Sequence, residues 1–137
     1  MSRRWRKLLV HWGPAVLFMA MIFAVSHVRL GKMSIKTFTH GDKAAHAVEY
    51  ALLCLLLFRG LRSLRRDWLW RWSPLVALAA ASLYGITDEW HQGLVGRDSD
   101  IMDWMADTFG AALMAIACWA WMRAHSDPRE NEPPEEW

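Results

Sequence analysis

The chain has 137 residues, of which 54% are hydrophobic, and a formal net charge of +2. This length suits a single domain, and so small a net charge gives no sign of nucleic-acid binding. The mean hydropathy of +0.05 averages long apolar segments with charged connections.

Four apolar segments reach the length of about 20 residues that a transmembrane helix needs. They run from about Leu8 to Val28, Ala44 to Leu61, Trp72 to Gln92 and Ile101 to Met122. A soluble four-helix bundle would show a polar face on each helix, but stretches 75–83 and 111–122 show almost none. The sequence therefore predicts an all-α integral membrane bundle of four transmembrane helices. It covers residues 1–125 and precedes an acidic, Pro-rich, disordered tail over residues 126–137.

The basic residues predict the orientation of the spans, because lysine and arginine concentrate in cytoplasmic loops. Most lie before the first segment, between the second and third, and after the fourth: Arg3, Arg4, Arg6, Lys7, Arg59, Arg62, Arg65, Arg66, Arg71 and Arg123. Both termini are therefore predicted to be cytoplasmic. The first segment is interpreted as a retained signal anchor, since Ser26 to Arg29 makes a poor cleavage site.

The polar residues of these segments gather at the predicted extracytoplasmic end. A charge near the bilayer centre costs at least roughly 2.5–3.5 kcal/mol, so acidic residues inside spans suggest a function. Residues three or four apart share a face of a helix. Three stripes follow this spacing: Lys43, His46 and Tyr50; Tyr84, Asp88 and Gln92; Asp100, Asp103 and Asp107. We expect one polar site between the helices, with Glu89 turned towards a different neighbour from Asp88.

Simpler roles compete with a functional site at several of these positions. Asp42 could serve only as the N-cap of the second helix, and Asp98 or Asp100 as that of the fourth. The Tyr84 hydroxyl could be satisfied by Asp88 one turn away. The whole cluster could also be a structural network that holds the helices together.

Three blocks of sequence combine into a more specific pattern. They are DKAAH from Asp42 with Tyr50; YGITDEWHQ from Tyr84; and Gly96-Arg97 with Asp103, Asp107 and Gly110. In this order and spacing they resemble the signatures of the VanZ-like membrane protein family, from the first span to the fourth. The chain departs from the family at Asp107, where Asn is usual, and at Val95, where Pro is common. The first departure adds a negative charge and weakens any role that needs a neutral amide there.

The resemblance implies a small multi-pass protein of the bacterial cytoplasmic (inner) membrane with a functional outer face. The family is associated with tolerance of teicoplanin, a glycopeptide antibiotic that acts outside that membrane. The expected partners are membrane lipids, including an anionic lipid headgroup, and no nucleic acid; a homo-oligomer is left open. The resemblance supplies no reaction, so enzyme and non-enzyme both stay open.

The first hypothesis is an enzyme that acts on an anionic envelope lipid or a lipid-linked cell-wall precursor. Its predicted catalytic residues are His46, Asp88, Glu89 and Asp103, and its predicted substrate-binding residues are Lys43, Tyr50, Tyr84, Gln92, Arg97 and Asp107. Arg97 would hold a phosphate through its planar fork, and His46 would act as general acid or base. Asp88 or Glu89 would act as base or orient His46.

No specific cofactor is indicated, although carboxylates suit divalent cations. The candidate ligands would be Asp88, Glu89, Asp103 and Asp107, without a closed metal-binding motif. The second hypothesis is a non-catalytic lipid-binding or transport module that recognises the headgroup with the same residues. The third is a purely structural polar network.

Overall fold

The chain folds into four α helices, which confirms the all-helical prediction. The computed structural model describes residues 3–27, 39–64, 66–94 and 100–125. The helices are α1 Arg3–His27, α2 Thr39–Arg62, α3 Asp67–Leu94 and α4 Ile101–Ala124. Each helix matches one of the four predicted apolar segments.

The helix bounds and the described ranges bear on two of the predictions made from the sequence. α2 begins at Thr39, earlier than predicted, so Asp42 lies inside the helix and is not its N-cap. The disordered tail predicted over residues 126–137 lies outside the described residues.

Most of the described helices have the length and composition of membrane spans. Three of them are apolar enough to cross a bilayer, over Trp5–Ser26, Lys43–Arg62 and Ile101–Ala124. α3 has 28 residues, or about 42 Å at the helical rise, with polar residues at both of its ends. Large apolar side chains cover the outside of the bundle: Leu17 is 72% exposed and Ile116 is 65% exposed. A soluble bundle would turn a polar face outward, so this surface indicates a membrane protein.

Consecutive helices pack antiparallel, and α2 and α3 each contact the other three. The interface between α2 and α4 is the most extensive, whereas α1 and α4 do not touch in the described part of the chain. The end at which α1 and α3 finish and α2 and α4 begin is named the polar end. The opposite end, which carries Arg59 and Arg62, is named the basic end.

Small residues let the helices approach closely in the core. Ala77, Ala81 and Ala111 are fully buried, and Ala115 nearly so. In a membrane, where lipid tails are as apolar as leucine, close contact between helices supplies much of the packing energy. These alanines therefore allow close packing between helices in the core of the bundle.

A backbone contact joins α2 to α4 near the polar end. A Cβ atom built on Gly110 would overlap the backbone of Ala47, whose carbonyl group faces it. Only glycine leaves room for a backbone at this distance. The contact therefore fixes how close α2 lies to α4 and in which register.

Replacing Gly110 with alanine should force α2 away from α4. We expect the free energy of unfolding to fall by about 1–3 kcal/mol, the usual cost of overpacking a core. Gly13→Ala is the matched control, because a Cβ there meets nothing within 4 Å. Thermal unfolding of both purified variants in one detergent measures the difference, and equal melting temperatures would contradict the backbone contact.

Candidate functional site

The centre of the polar end is a hydrogen-bonded pair between α2 and α4. His46 Nδ1 lies 3.0 Å from Asp107 Oδ1. The Asp107 side chain is 1% exposed and that of His46 is 18% exposed, so the pair lies mostly inside the bundle. Its geometry follows from the register of the helices, because His46 precedes Ala47 and Asp107 lies one turn before Gly110. A carboxylate that accepts from Nδ1–H leaves Nε2 as the basic nitrogen of the ring.

One turn further out, Lys43 contacts two acids at the start of α4. Its Nζ lies 2.7 Å from Asp103 Oδ1 and 3.2 Å from Asp100 Oδ2. Asp100 is the N-cap of α4 and accepts from the Met102 backbone N–H at 2.9 Å, which confirms the capping role considered for it. The Met102 N–H and then the Lys43 ammonium hold the pKa of Asp100 below its usual range. The Lys43 side chain is 41% exposed, so it marks the mouth of the polar layer.

Asp88 and Glu89 face different neighbours, as their adjacent positions on α3 predict. Glu89 Oε2 accepts from the Asp100 backbone N–H at 3.0 Å and so joins α3 to the start of α4. Asp88 Oδ2 accepts from Ser26 Oγ at 3.0 Å and from Gln92 Nε2 at 2.8 Å. Both carboxyl groups belong to buried residues.

The carboxylate hydrogen-bonded to His46 comes from α4. The sequence pointed to Asp88 or Glu89 for this orienting role, whereas the contact in the structure is that of Asp107. The physical reason is the close approach of α2 to α4, which brings residues one turn before Gly110 against the start of α2. Asp107, predicted as a substrate-binding residue, is therefore placed to position His46.

Helix α1 joins the polar end through two contacts that the sequence did not assign to it. Ser26 is buried and donates to Asp88. The Tyr84 hydroxyl donates to the Met19 carbonyl at 2.7 Å, so it faces α1 and not Asp88. Ser26 was detectable as one of two interruptions of the first apolar segment, but nothing in the sequence marks a backbone carbonyl as an acceptor.

Tyr50 and Gly85 complete the buried side of the site. Tyr50 is fully buried, and a Cβ built on Gly85 would lie 3.3 Å from its Cε1 and 3.4 Å from Asp107 Oδ2. Gly85 is thus the point at which α3 approaches the pair formed by α2 and α4. Tyr50 Oη and Asp107 Oδ2 have no hydrogen-bond partner among the described residues. Buried polar atoms of this kind are normally satisfied by water, a proton or a ligand group.

One further acid belongs to this neighbourhood and was not among the predicted site residues. Glu49 is half-buried on α2 and lies within electrostatic reach of His46, Asp107 and Asp88. Its signal in the sequence is a charge inside the second apolar segment. Helical spacing places it three residues after His46 and therefore on nearly the same face.

The described residues include the candidate metal ligands but not Arg97, the predicted phosphate ligand. Arg97 lies outside the described residues, as do Gly96, Val95 and Asp98. Within the described ranges, no three His, Cys, Asp or Glu side chains are placed to hold one metal ion. Each of the four carboxylates considered as a ligand instead meets a different partner, so they do not converge on one point.

The His46–Asp107 pair predicts energetic coupling between α2 and α4. A double-mutant cycle with His46→Leu and Asp107→Leu should give a coupling free energy of about 0.5–3 kcal/mol, because each single change leaves a buried polar group without this hydrogen bond. Unfolding in mixed detergent micelles supplies the four free energies. A second cycle that combines Asp107→Leu with Thr87→Ala, an exposed residue bonded within α3, is the additive control. Additivity in the first cycle would refute the pair.

Comparison with known proteins agrees with the resemblance seen in the sequence. A search of curated proteins and a search of solved structures each gave no match. The family model described as VanZ/LLP1 matches residues 3–123, which takes in α1, α2, α3 and nearly all of α4. The chain therefore belongs to the VanZ/LLP1 family.

Proposed function

We propose that the protein spans the bacterial cytoplasmic (inner) membrane four times and binds an anionic headgroup at its polar end, on the extracytoplasmic side. The headgroup would belong to an envelope lipid or a lipid-linked cell-wall precursor. Family membership and three apolar helices support a membrane protein. The antiparallel packing of α3 against α2 and α4 supports a fourth span, and the lysine and arginine distribution supports cytoplasmic termini.

The observation that carries the headgroup proposal is the exposed ammonium of Lys43 beside the buried His46–Asp107 pair. Lysine binds phosphate as a point charge, and here it would exchange an acidic partner for the phosphate. Arg97 is three residues from both Leu94 and Asp100 in the sequence. Its planar guanidinium suits two hydrogen bonds to the same phosphate.

Within this site, we assign proton transfer to His46. An imidazole exchanges protons near neutral pH, and Asp107 holds the ring so that Nε2 is the basic atom. Tyr50 Oη, which is fully buried beside the pair, would donate to a water, and Asp107 Oδ2 would accept from one. A reaction at the headgroup would thus use His46 as general acid or base.

The burial of Asp88 favours a second candidate function, in which the polar layer binds a lipid headgroup but catalyses no reaction. Asp88 is 4% exposed and receives hydrogen bonds from Ser26 on α1 and Gln92 on α3. A carboxylate in this position links helices more readily than it reaches a substrate. The non-catalytic alternative is therefore a lipid-binding module whose deeper acids are structural.

Either candidate function would change how accessible the lipid-linked precursors are to glycopeptides outside the membrane. A protein that binds a lipid-linked precursor on the outer face alters how much of it is exposed there. Teicoplanin susceptibility of cells with and without the protein is therefore the natural cellular measurement for this site.

The proposed orientation predicts that reporter fusions after Lys36 and after Arg65 report opposite sides of the membrane. The Arg65 fusion and a fusion after Trp137 should both be cytoplasmic, because the basic residues flank these positions. A reporter active only in the cytoplasm, paired with one active only outside, measures each position. Lys36 and Arg65 on the same side would rule out four spans.

Native mass spectrometry in mild detergent, with added polyprenyl phosphate, tests the site itself. The wild type should retain the lipid, and Arg97→Ala should lose it because a phosphate ligand is gone. His46→Gln should retain the lipid while losing any product that the wild type forms. Thr87→Ala, which changes an exposed hydroxyl bonded within α3, should match the wild type.

The other outcomes separate the alternatives. Equal lipid retention by wild type and Arg97→Ala would contradict a headgroup site at this end. Lipid retention without product in the wild type would assign the protein to the binding modules. Lower melting temperatures for Asp88→Asn and Asp103→Asn, with teicoplanin susceptibility that follows protein level alone, would favour the structural network.

A further inference from the structure

A cleft lies at the basic end of the bundle, away from the polar layer. α1 and α4 both lie beside it but do not contact each other in the described ranges, so α2 forms its floor. The cavity has a volume of about 730 Å³, within the range of about 300–1,000 Å³ that is usual for small-molecule sites. Leu55 and Phe58 of α2 and Met114 and Ala117 of α4 give it apolar walls.

The rim of the cleft is basic. Lys7 and His11 of α1 and Arg59 and Arg62 of α2 line it, and none of the described side chains that line it is acidic. Arg59 Nη2 also donates to the Val10 carbonyl at 3.4 Å, which places its guanidinium where α1 meets α2. The cleft therefore combines apolar walls with a cluster of positive charge.

Aromatic rings fix the position of Arg62 beside the cleft. Its Cζ lies 4.3 Å from the ring centroid of Trp70, 5.3 Å from that of Trp121 and 5.6 Å from that of Phe58. Cation–π contacts at these distances stabilise a guanidinium over the ring faces. The N–H groups lie in the guanidinium plane, which is the geometry that binds phosphate. Arg62 is thus held near the cleft and does not extend freely into solvent.

We propose that this cleft binds one anionic phospholipid of the surrounding bilayer. The phosphate would lie against Lys7, Arg59 and Arg62, and an acyl chain would follow the apolar wall from Leu55 towards Met114. Basic pockets between transmembrane helices are sites for acidic lipid headgroups on the cytoplasmic side. The order of features along α2, apolar at Leu55 and basic at Arg59 and Arg62, matches the order of chain and phosphate in a lipid. The site is independent of the headgroup proposed for the polar end.

Native mass spectrometry of the full-length protein, titrated with phosphatidylglycerol or phosphatidylcholine, tests this proposal. The wild type should bind phosphatidylglycerol in preference. The double variant Lys7→Gln/Arg59→Gln should bind it about tenfold or more weakly, since each basic residue near the membrane surface contributes about fivefold. Arg66→Gln/Arg71→Gln is the matched control, because it removes the same charge at the same end from exposed residues that do not line the cleft.

A second variant separates charge from folding. Ala117→Phe keeps every cation but fills the apolar wall, and it should also lose phosphatidylglycerol while its melting temperature in lipid-free detergent stays near that of the wild type. Binding like the control in both cleft variants would overturn the proposal, as would equal affinity of the wild type for the two lipids. A dimer mass that Ala117→Phe abolishes without any loss of lipid would show a second copy of the chain as the occupant, and would overturn it too.

Discussion

The backbone contact between Gly110 and Ala47 is the constraint on which the polar end depends. It sets both the distance and the register of α2 against α4. In that register His46, which precedes Ala47, contacts Asp107, which lies one turn before Gly110. Lys43, one turn before His46, reaches Asp103 at the start of α4. A side chain at position 110 would separate the backbones and lengthen both contacts. Both polar contacts therefore depend on the absence of a side chain at Gly110.

The buried acids of the polar end each have a hydrogen-bond partner on another helix or at its start. Burying a charge is costly unless the charge is paired and hydrogen-bonded, so partners on other helices stabilise these acids. Asp107 on α4 is hydrogen-bonded to His46 on α2, and Asp88 on α3 accepts a hydrogen bond from Ser26 on α1. α1 makes the smallest interfaces in the described bundle, and the serine adds a polar link where its apolar contacts are few. The hydrogen bonds of the polar layer therefore involve all four helices.

The helices and the level of the polar layer could be predicted from the sequence, because both follow from apolar length and helical spacing. The partners across helices could not. Asp88 or Glu89 was considered as the residue that orients His46, but the hydrogen-bonded carboxylate is that of Asp107. The Tyr84 hydroxyl donates to the Met19 carbonyl and not to Asp88. Such pairings depend on which backbones approach most closely and how each helix is rotated. Single small residues decide both, and the sequence does not show what each of them packs against.

The length of α2 separates the two proposed lipid sites. Its apolar span Lys43–Arg62 has 20 residues, or about 30 Å at the helical rise, which equals the usual hydrocarbon thickness of a bilayer. The lysine at one end and the arginine at the other therefore lie at opposite interfaces when α2 crosses the membrane. A lipid phosphate stays at its own interface, so one lipid cannot reach both cations. The two proposed sites would therefore bind lipids of different leaflets, and loss of either site should leave the other occupied.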